Sequence, residues 1–99
     1  MTLYRTDANH LRIKRALLAA GRPVRDVAAY HGFGCDLVAQ HVDGHAVFLE
    51  VKDGSKPPSA RKLTDSELSL SMAFPGCFAV VLTEEEALRA CGLHVGSAA

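Results

Sequence analysis

Long apolar runs are missing from this sequence. The longest, Ala16 to Ala20 and Phe78 to Leu82, fall far short of the roughly 20 residues that a membrane-spanning helix needs, and no apolar signal-peptide region opens the chain. A soluble, non-exported protein is expected. Net charge is missing too: 11 Lys and Arg balance 11 Asp and Glu, so no global field draws the chain toward a polyanion. Cysteine is scarce. Cys35, Cys77 and Cys91 are an odd number without CxxC spacing, which supplies neither a disulfide framework nor a four-ligand zinc site. His31, His41, His45 and His94 make no ligand-spaced pair with a cysteine, so the spacing gives no expectation of zinc. A reducing, cytoplasmic setting is expected, and no internal repeat divides the chain.

What remains is ordinary for one packed core. Ninety-nine residues, 48% hydrophobic and 22% charged, make a single domain, expected over residues 1–95. Residues 96–99 carry too little apolar surface to dock and are expected to be disordered. The charge is laid out unevenly. Residues 1–62 hold 10 Lys and Arg against 6 Asp and Glu, a net of +4, and residues 63–99 hold 1 against 5, a net of −4. Such asymmetry fits either a basic face toward nucleic acid or a solvated mixed surface.

Asp7 is a candidate cap for a helix over residues 7–20, where Leu11, Ile13, Leu17, Leu18 and Ala20 supply the apolar positions and Gly21-Arg22-Pro23 the stop. Val24 to Tyr30 reads as a strand, and His31-Gly32-Phe33-Gly34 as a turn. Cys35 to Val42 and His45 to Lys52 are short runs rich in Val, Leu and Phe on either side of Asp43-Gly44, a strong hairpin signal. Asp53 to Lys62, with its Gly, Ser, Pro-Pro and Lys, cannot join a ladder and reads as a basic surface loop. Thr64-Asp65-Ser66-Glu67 has the pattern of a capping box and opens a helix over 65–73 that Pro75-Gly76 ends. The run Phe78 to Leu82 has buried-strand character and leads into a second capping pattern, Thr83-Glu84-Glu85-Glu86, and a helix closed by Gly92. The order αβββαβα predicts an α/β fold, a mixed four-stranded sheet flanked by helices.

Chemistry gathers on the hairpin. Asp36 opens its first strand and Glu50-Val51-Lys52 ends its second, which puts two carboxylates and a lysine at one end of a rigid unit. Carboxylate oxygens suit a hard cation such as Mg²⁺, which takes one or two of them and completes its octahedron with water and phosphate. A lysine two residues beyond a ligating glutamate projects to the same face, where its ammonium can position an attacking water or offset charge developing on phosphorus. Register decides whether the three groups meet. A two-residue Asp43-Gly44 turn pairs Asp36 with Val51 and sends Glu50 to the opposite face. A three-residue loop, Val42-Asp43-Gly44, with Gly44 left-handed, pairs Asp36 with Glu50 and keeps Lys52 beside them. A common site therefore predicts a bulged loop, or a bulge elsewhere in either strand.

Asp36, thirteen intervening residues and then Glu50-Val51-Lys52 resemble the PD-(D/E)XK nuclease signature. The surrounding residues sharpen the likeness. Gly32-Phe33-Gly34-Cys35-Asp36-Leu37-Val38, then Leu49-Glu50-Val51-Lys52-Asp53-Gly54, then Pro57-Pro58-Ser59-Ala60-Arg61-Lys62-Leu63-Thr64, is similar to the small VRR-Nuc-like nucleases of phages and bacteria, over roughly residues 5–90. The resemblance implies a restriction-endonuclease-like core and phosphodiester hydrolysis. By that resemblance Asp36 and Glu50 would hold Mg²⁺ or Mn²⁺, the Val51 backbone carbonyl would complete the protein ligands, and Lys52 would orient the nucleophilic water. Two departures stand out. Proline usually precedes the aspartate and is Cys35 here, a change of backbone stiffness rather than of chemistry. The first-helix position that commonly carries Gln or Glu is His10, an accessory residue that would hydrogen-bond a phosphate or a metal-bound water.

Glu67 could reach a metal from the short helix over 65–73, or serve only its capping box, and the same bland reading covers Glu86. Lys56, Arg61 and Lys62 on the loop after the site, with Arg12, Lys14, Arg15 and Arg22 on the first helix and its exit, are candidate contacts to a phosphate backbone. Solvation alone also accounts for each. Cys35 lacks a helix N-terminus or an adjacent base and is expected to be a buried, inert thiol. The expected activity is a Mg²⁺- or Mn²⁺-dependent deoxyribonuclease, cutting internally rather than from an end, with a preference for branched or flapped DNA that rests on likeness alone. So small a core implies a homodimer, or a partner protein, to supply selectivity. Two rivals stand beside this reading. One is a non-catalytic nucleic-acid-binding or protein adaptor that retains the fold; the other is a purely structural α/β protein, in which Asp36 and Lys52 would point apart into water.

Overall fold

The helical spacing of the first apolar residues becomes α1 (Ala8–Ala19) in the computed structural model, which describes residues 8–95; the buried face of α1 is His10, Ile13 and Leu17. The Asp7 cap and the disorder expected at 96–99 lie outside the described residues. α1 ends in a Schellman motif, with the Gly21 N–H on the Leu18 carbonyl and the Arg22 N–H on the Leu17 carbonyl, both at 3.0 Å. Next comes β1 (Val24–Asp26), much shorter than the Val24 to Tyr30 strand the sequence suggests. Asp26 is the reason. Its Oδ1 accepts the Ala28 N–H at 3.2 Å, and a carboxylate that bonds backbone two residues ahead turns the chain where the apolar run would extend it.

β2 (Leu37–Gln40) and β3 (Ala46–Val51) form the hairpin, each somewhat shorter than the run that encodes it. Leu37 pairs with Leu49, Val38 with Phe48, Ala39 with Val47 and Gln40 with Ala46. Continued outward, that register sets Asp36 opposite Glu50. It is the register of the three-residue loop: the His41 N–H meets the His45 carbonyl at 2.8 Å, and Gly44 sits at φ +105°, a conformation that costs glycine little.

A single 3₁₀ turn, Pro58–Arg61, orders part of the segment expected as an irregular loop. The chain continues through α2 (Asp65–Ala73), β4 (Phe78–Val81) and α3 (Glu84–Ala90). Both helices start as their sequences dictate. Thr64 and Glu67 complete a reciprocal capping box on α2, while on α3 Thr83 caps the Glu86 N–H at 3.1 Å and the Glu86 carboxylate reaches back to the Leu82 N–H at 2.6 Å.

The sheet runs β1-β2-β3-β4, antiparallel except for the parallel pair β3 and β4. The expected α/β order and mixed four-stranded sheet are therefore present. Strand alternation sends Leu37, Ala39, Val47 and Leu49 to one face, where they join Ile13, Leu17 and Ala87 in the core under α1 and α3. The other face carries Phe48, whose ring lies 5.1 Å from that of Phe74 at the end of α2 and 6.5 Å from that of Phe33. α2 itself buries no residue fully. Gly34 lets it approach: a Cβ there would sit 2.6 Å from the Ser66 carbonyl oxygen and 2.9 Å from the Leu70 Cβ.

Candidate active site

Asp36 stands where β2 begins, fixed by three bonds. Its N–H donates to the Leu49 carbonyl at 3.0 Å and its carbonyl accepts the Val27 N–H at 2.9 Å. Its carboxylate oxygen Oδ2 accepts the Val51 N–H at 2.8 Å, so a side chain supplies the next rung of the ladder. The N–H and C=O of a strand residue leave on the same side, which turns the Val51 carbonyl toward Asp36 as well.

Glu50 is only 4% exposed. The Lys52 ammonium lies 3.2 Å from Glu50 Oε2 and 3.1 Å from Glu67 Oε1. Glu67 does two jobs at once, since the same Oε1 accepts the Thr64 N–H at 2.9 Å within its capping box. These acids line a polar cavity of about 140 Å³ with Ser66, Cys35 and the turn residues Ala28, Tyr30, His31, Gly32 and Gly34. Asp36 and Lys52 both meet Glu50, so the arrangement required by a purely structural protein, with the two pointing apart, is not present.

Burial pushes the Glu50 carboxyl up to about 9, helped by the Asp36 charge and by the hydrogen bond and charge of Glu67, against the pull of Lys52. Asp36 is also raised, by burial above all, although the Val51 N–H, His10 and a hydrogen bond with Glu50 work the other way. Glu67 moves down: burial opposes ionisation, but the Thr64 N–H, Glu50 and Lys52 outweigh it. Lys52 moves up, because Glu50 and Glu67 overcome the opposing effect of burial. At neutral pH Glu50 thus keeps a proton between neighbouring acids. Two hydrogen-bonded carboxyls that cannot both ionise unaided are a fitting donor set for a hard dication, which substitutes for the proton. The Cys35 thiol is pushed up to about 12 by burial, then by Asp36 and Glu50, and is the inert thiol expected.

The outlying residues divide. His10 is buried with its Nε2 2.9 Å from Asp26 Oδ2, an acid that no motif singled out, and its charge is felt at Asp36. Lys14 bonds the same Asp26 oxygen at 3.4 Å, and Arg22 the His41 carbonyl at 3.5 Å, so neither is directed to the site. Arg12 and Lys56 do come to this end of the sheet. After the hydrogen bonds from Ser55, their charges help hold the Asp53 carboxyl below its ordinary value. Arg15, Lys56 and Lys62 are exposed, and Arg61 is half-buried with its Nε lacking a hydrogen-bond partner.

Sequence reasoning missed two features. Asn9 staples α1 to the site strands, its Nδ2 donating to the Lys52 carbonyl at 2.8 Å and the Leu82 carbonyl at 3.2 Å. A single asparagine in a helix gives no signal of this. The second is a cluster of His41, Asp43 and His45 whose potential ligand atoms all lie within 4.8 Å of one another. Its signal was the alternation His-x-Asp-x-His across a three-residue loop, invisible to a search for histidines paired with cysteines.

No helix among the described residues is long and apolar enough to cross a membrane. No family model matches the chain, and no curated protein or solved structure is significantly similar to it.

Proposed function

We propose that this protein is a metal-dependent nuclease that hydrolyses phosphodiester bonds in DNA, with Asp36, Glu50 and Lys52 as its catalytic residues. The observation that carries the reading is the convergence of those three side chains at one end of the hairpin, around a Glu50 that is 4% exposed and held up to about 9. Buried acids crowded beside one another destabilise a fold, and functional sites are where such arrangements persist. Asp36, Glu50 and the Val51 carbonyl would hold Mg²⁺ or Mn²⁺. When bound, the cation supplies Lewis-acid stabilisation of charge on phosphorus and acidifies water.

The chain's own residues do the rest. Glu67 and Glu50 hold the charged Lys52 ammonium beside the cavity that they line, where it orients the attacking water and offsets developing charge. Asn9 fixes the Lys52 backbone from α1. Arg12 and Lys56, which sit beside Asp53 at this end of the sheet, contact phosphates flanking the cleaved bond, and His10 lends its charge to Asp36. Internal cleavage of branched or flapped DNA, in the cytoplasm of a bacterial or phage-infected cell, is the narrower proposal, with a second copy of the chain or a partner protein supplying selectivity.

The decisive experiment is cleavage of labelled linear, nicked, flapped and four-way-junction DNAs with Mg²⁺ or Mn²⁺, beside an EDTA control and Lys52→Ala. Metal-dependent products lost in the variant support the nuclease; no cleavage by pure wild-type protein overturns it as a self-sufficient enzyme. One observation favours a second reading, a non-catalytic adaptor: the Lys52 ammonium is already held by two acid side chains, Glu50 and Glu67, as in a structural clasp. DNA binding without cleavage, unchanged in Glu50→Gln, would select the adaptor.

A further inference from the structure

The hairpin tip, about 15 Å from the carboxylate end at 3.3 Å per strand residue, holds a second constellation. His41 and His45 face each other across the ladder with their rings stacked 4.5 Å apart and 16° from parallel. Asp43, between them in sequence, places Oδ1 3.1 Å from His41 Nδ1 and 2.5 Å from His45 Nδ1. We propose that this tip binds a divalent first-row transition cation of the Zn²⁺ class through His41 Nδ1, Asp43 Oδ1 and His45 Nδ1.

Donor chemistry agrees with that ion, and the dimensions come near it: the ligand atoms lie within 4.8 Å of one another, and the stacked rings would turn to aim both nitrogens at one centre. Tetrahedral zinc, with bonds of about 2.0–2.1 Å, sets neighbouring ligand atoms about 3.3 Å apart. Imidazole nitrogens with one carboxylate select Zn²⁺, Ni²⁺ or Cu²⁺ over Mg²⁺. The donors are also pre-set. The Asp43 N–H donates to His41 Nδ1 at 3.1 Å, so that nitrogen is unprotonated, and a cation would take its lone pair in place of the N–H, with the Asp43 carboxylate at the same distance. Two acceptors confronting each other repel, and a cation between them removes the repulsion. The opposite edge of the His41 ring is walled off: a Cβ on Gly92, at the end of α3, would lie 2.6 Å from its Cε1 and 2.7 Å from its Nε2. The carboxylate is held in turn by the His45 N–H at 3.0 Å. Three protein ligands on an exposed loop leave a fourth position for water or an incoming group.

The test is calorimetric titration of untagged protein with Zn²⁺ in excess Mg²⁺, on wild type, His45→Ala, Asp43→Asn and Glu50→Gln. One Zn²⁺ is expected to bind wild type and Glu50→Gln alike, and at least about tenfold more weakly in the two loop variants, the minimum loss that even an outer-shell partner of a ligand causes. Imidazole resonances of wild type, which need no variant to fold, should show Zn²⁺ on the Nδ1 atoms of His41 and His45 and none on His31. Failure of wild type to bind, undiminished binding by His45→Ala, or coordination through Nε2 would overturn the site.

Discussion

At pH 7 a carboxyl group whose folded pKa is about 9 still carries its proton, and Glu50 is such a group chiefly because it is buried. Its folded value lies above its ordinary 4.5, so the stability it contributes is complete below that value and is lost as pH rises toward about 9, at roughly 1.4 kcal/mol per unit crossed. Glu67, shifted down, acts oppositely and loses its contribution on acidification. Denaturation at pH 6 and pH 9 should therefore show wild type losing stability that Glu50→Gln retains; equal losses would remove Glu50 from this role. At pH 8, Mg²⁺ should raise the melting temperature of wild type and not of Glu50→Gln. Lys52→Ala should lower kcat for DNA cleavage by about 10²–10³, the loss typical of removing one transition-state donor. Asp36, Glu50 and Lys52 were legible in the sequence because strand parity is a local rule. The bond that Lys52 donates to Glu67 was not, since it needs the placement of a helix that no short-range pattern fixes, and a capping box already accounted for the residue.

At the scale of elements, the hairpin register was readable in part: Asp43-Gly44 marks a turn, and a shared face for Asp36 and Glu50 needed either a three-residue loop or a bulge elsewhere in the strands, of which the structure has the loop. The length of β1 was not readable. Val24 to Tyr30 has strand composition, but the Asp26 side chain bonds the Ala28 N–H and local hydrogen bonding prevails over propensity. The docking of α2 was equally hidden, because it depends on an absent side chain. Gly34→Ala should place a methyl 2.6 Å from the Ser66 carbonyl oxygen and destabilise the protein by about 1–3 kcal/mol, the usual range for overpacking. Urea denaturation reads that loss. Because α2 carries Glu67, cleavage should fall further than the unfolded fraction explains, and a variant as active as its folded fraction allows would show that Glu67 does not steer Lys52.

For the whole molecule, zero net charge conceals a local supply of cations, and among the described residues Arg12 and Lys56 act beside the site, through Asp53. DNA affinity should then fall with salt on a log–log slope near −2, at about −0.9 per neutralised phosphate, and not the slope near −4.5 that five contacts would give. Lys56→Ala should flatten it by about one unit. Binding isotherms from 50 to 200 mM salt measure both. The element order and sheet composition were legible because capping boxes, glycine stops and apolar runs punctuate the chain throughout. The staple from Asn9 to the ends of β3 and β4 was not, since it joins residues far apart in sequence through one amide.

The ladder rung made by the Asp36 carboxylate and the Val51 N–H at 2.8 Å gives the protein a built-in spectroscopic gauge. Whatever engages that carboxylate, a proton, a cation or a phosphate displacing it, must alter the electronic surroundings and hydrogen-exchange rate of one amide. The Val51 cross-peak would therefore report occupancy of the proposed centre directly, without a substrate or a turnover.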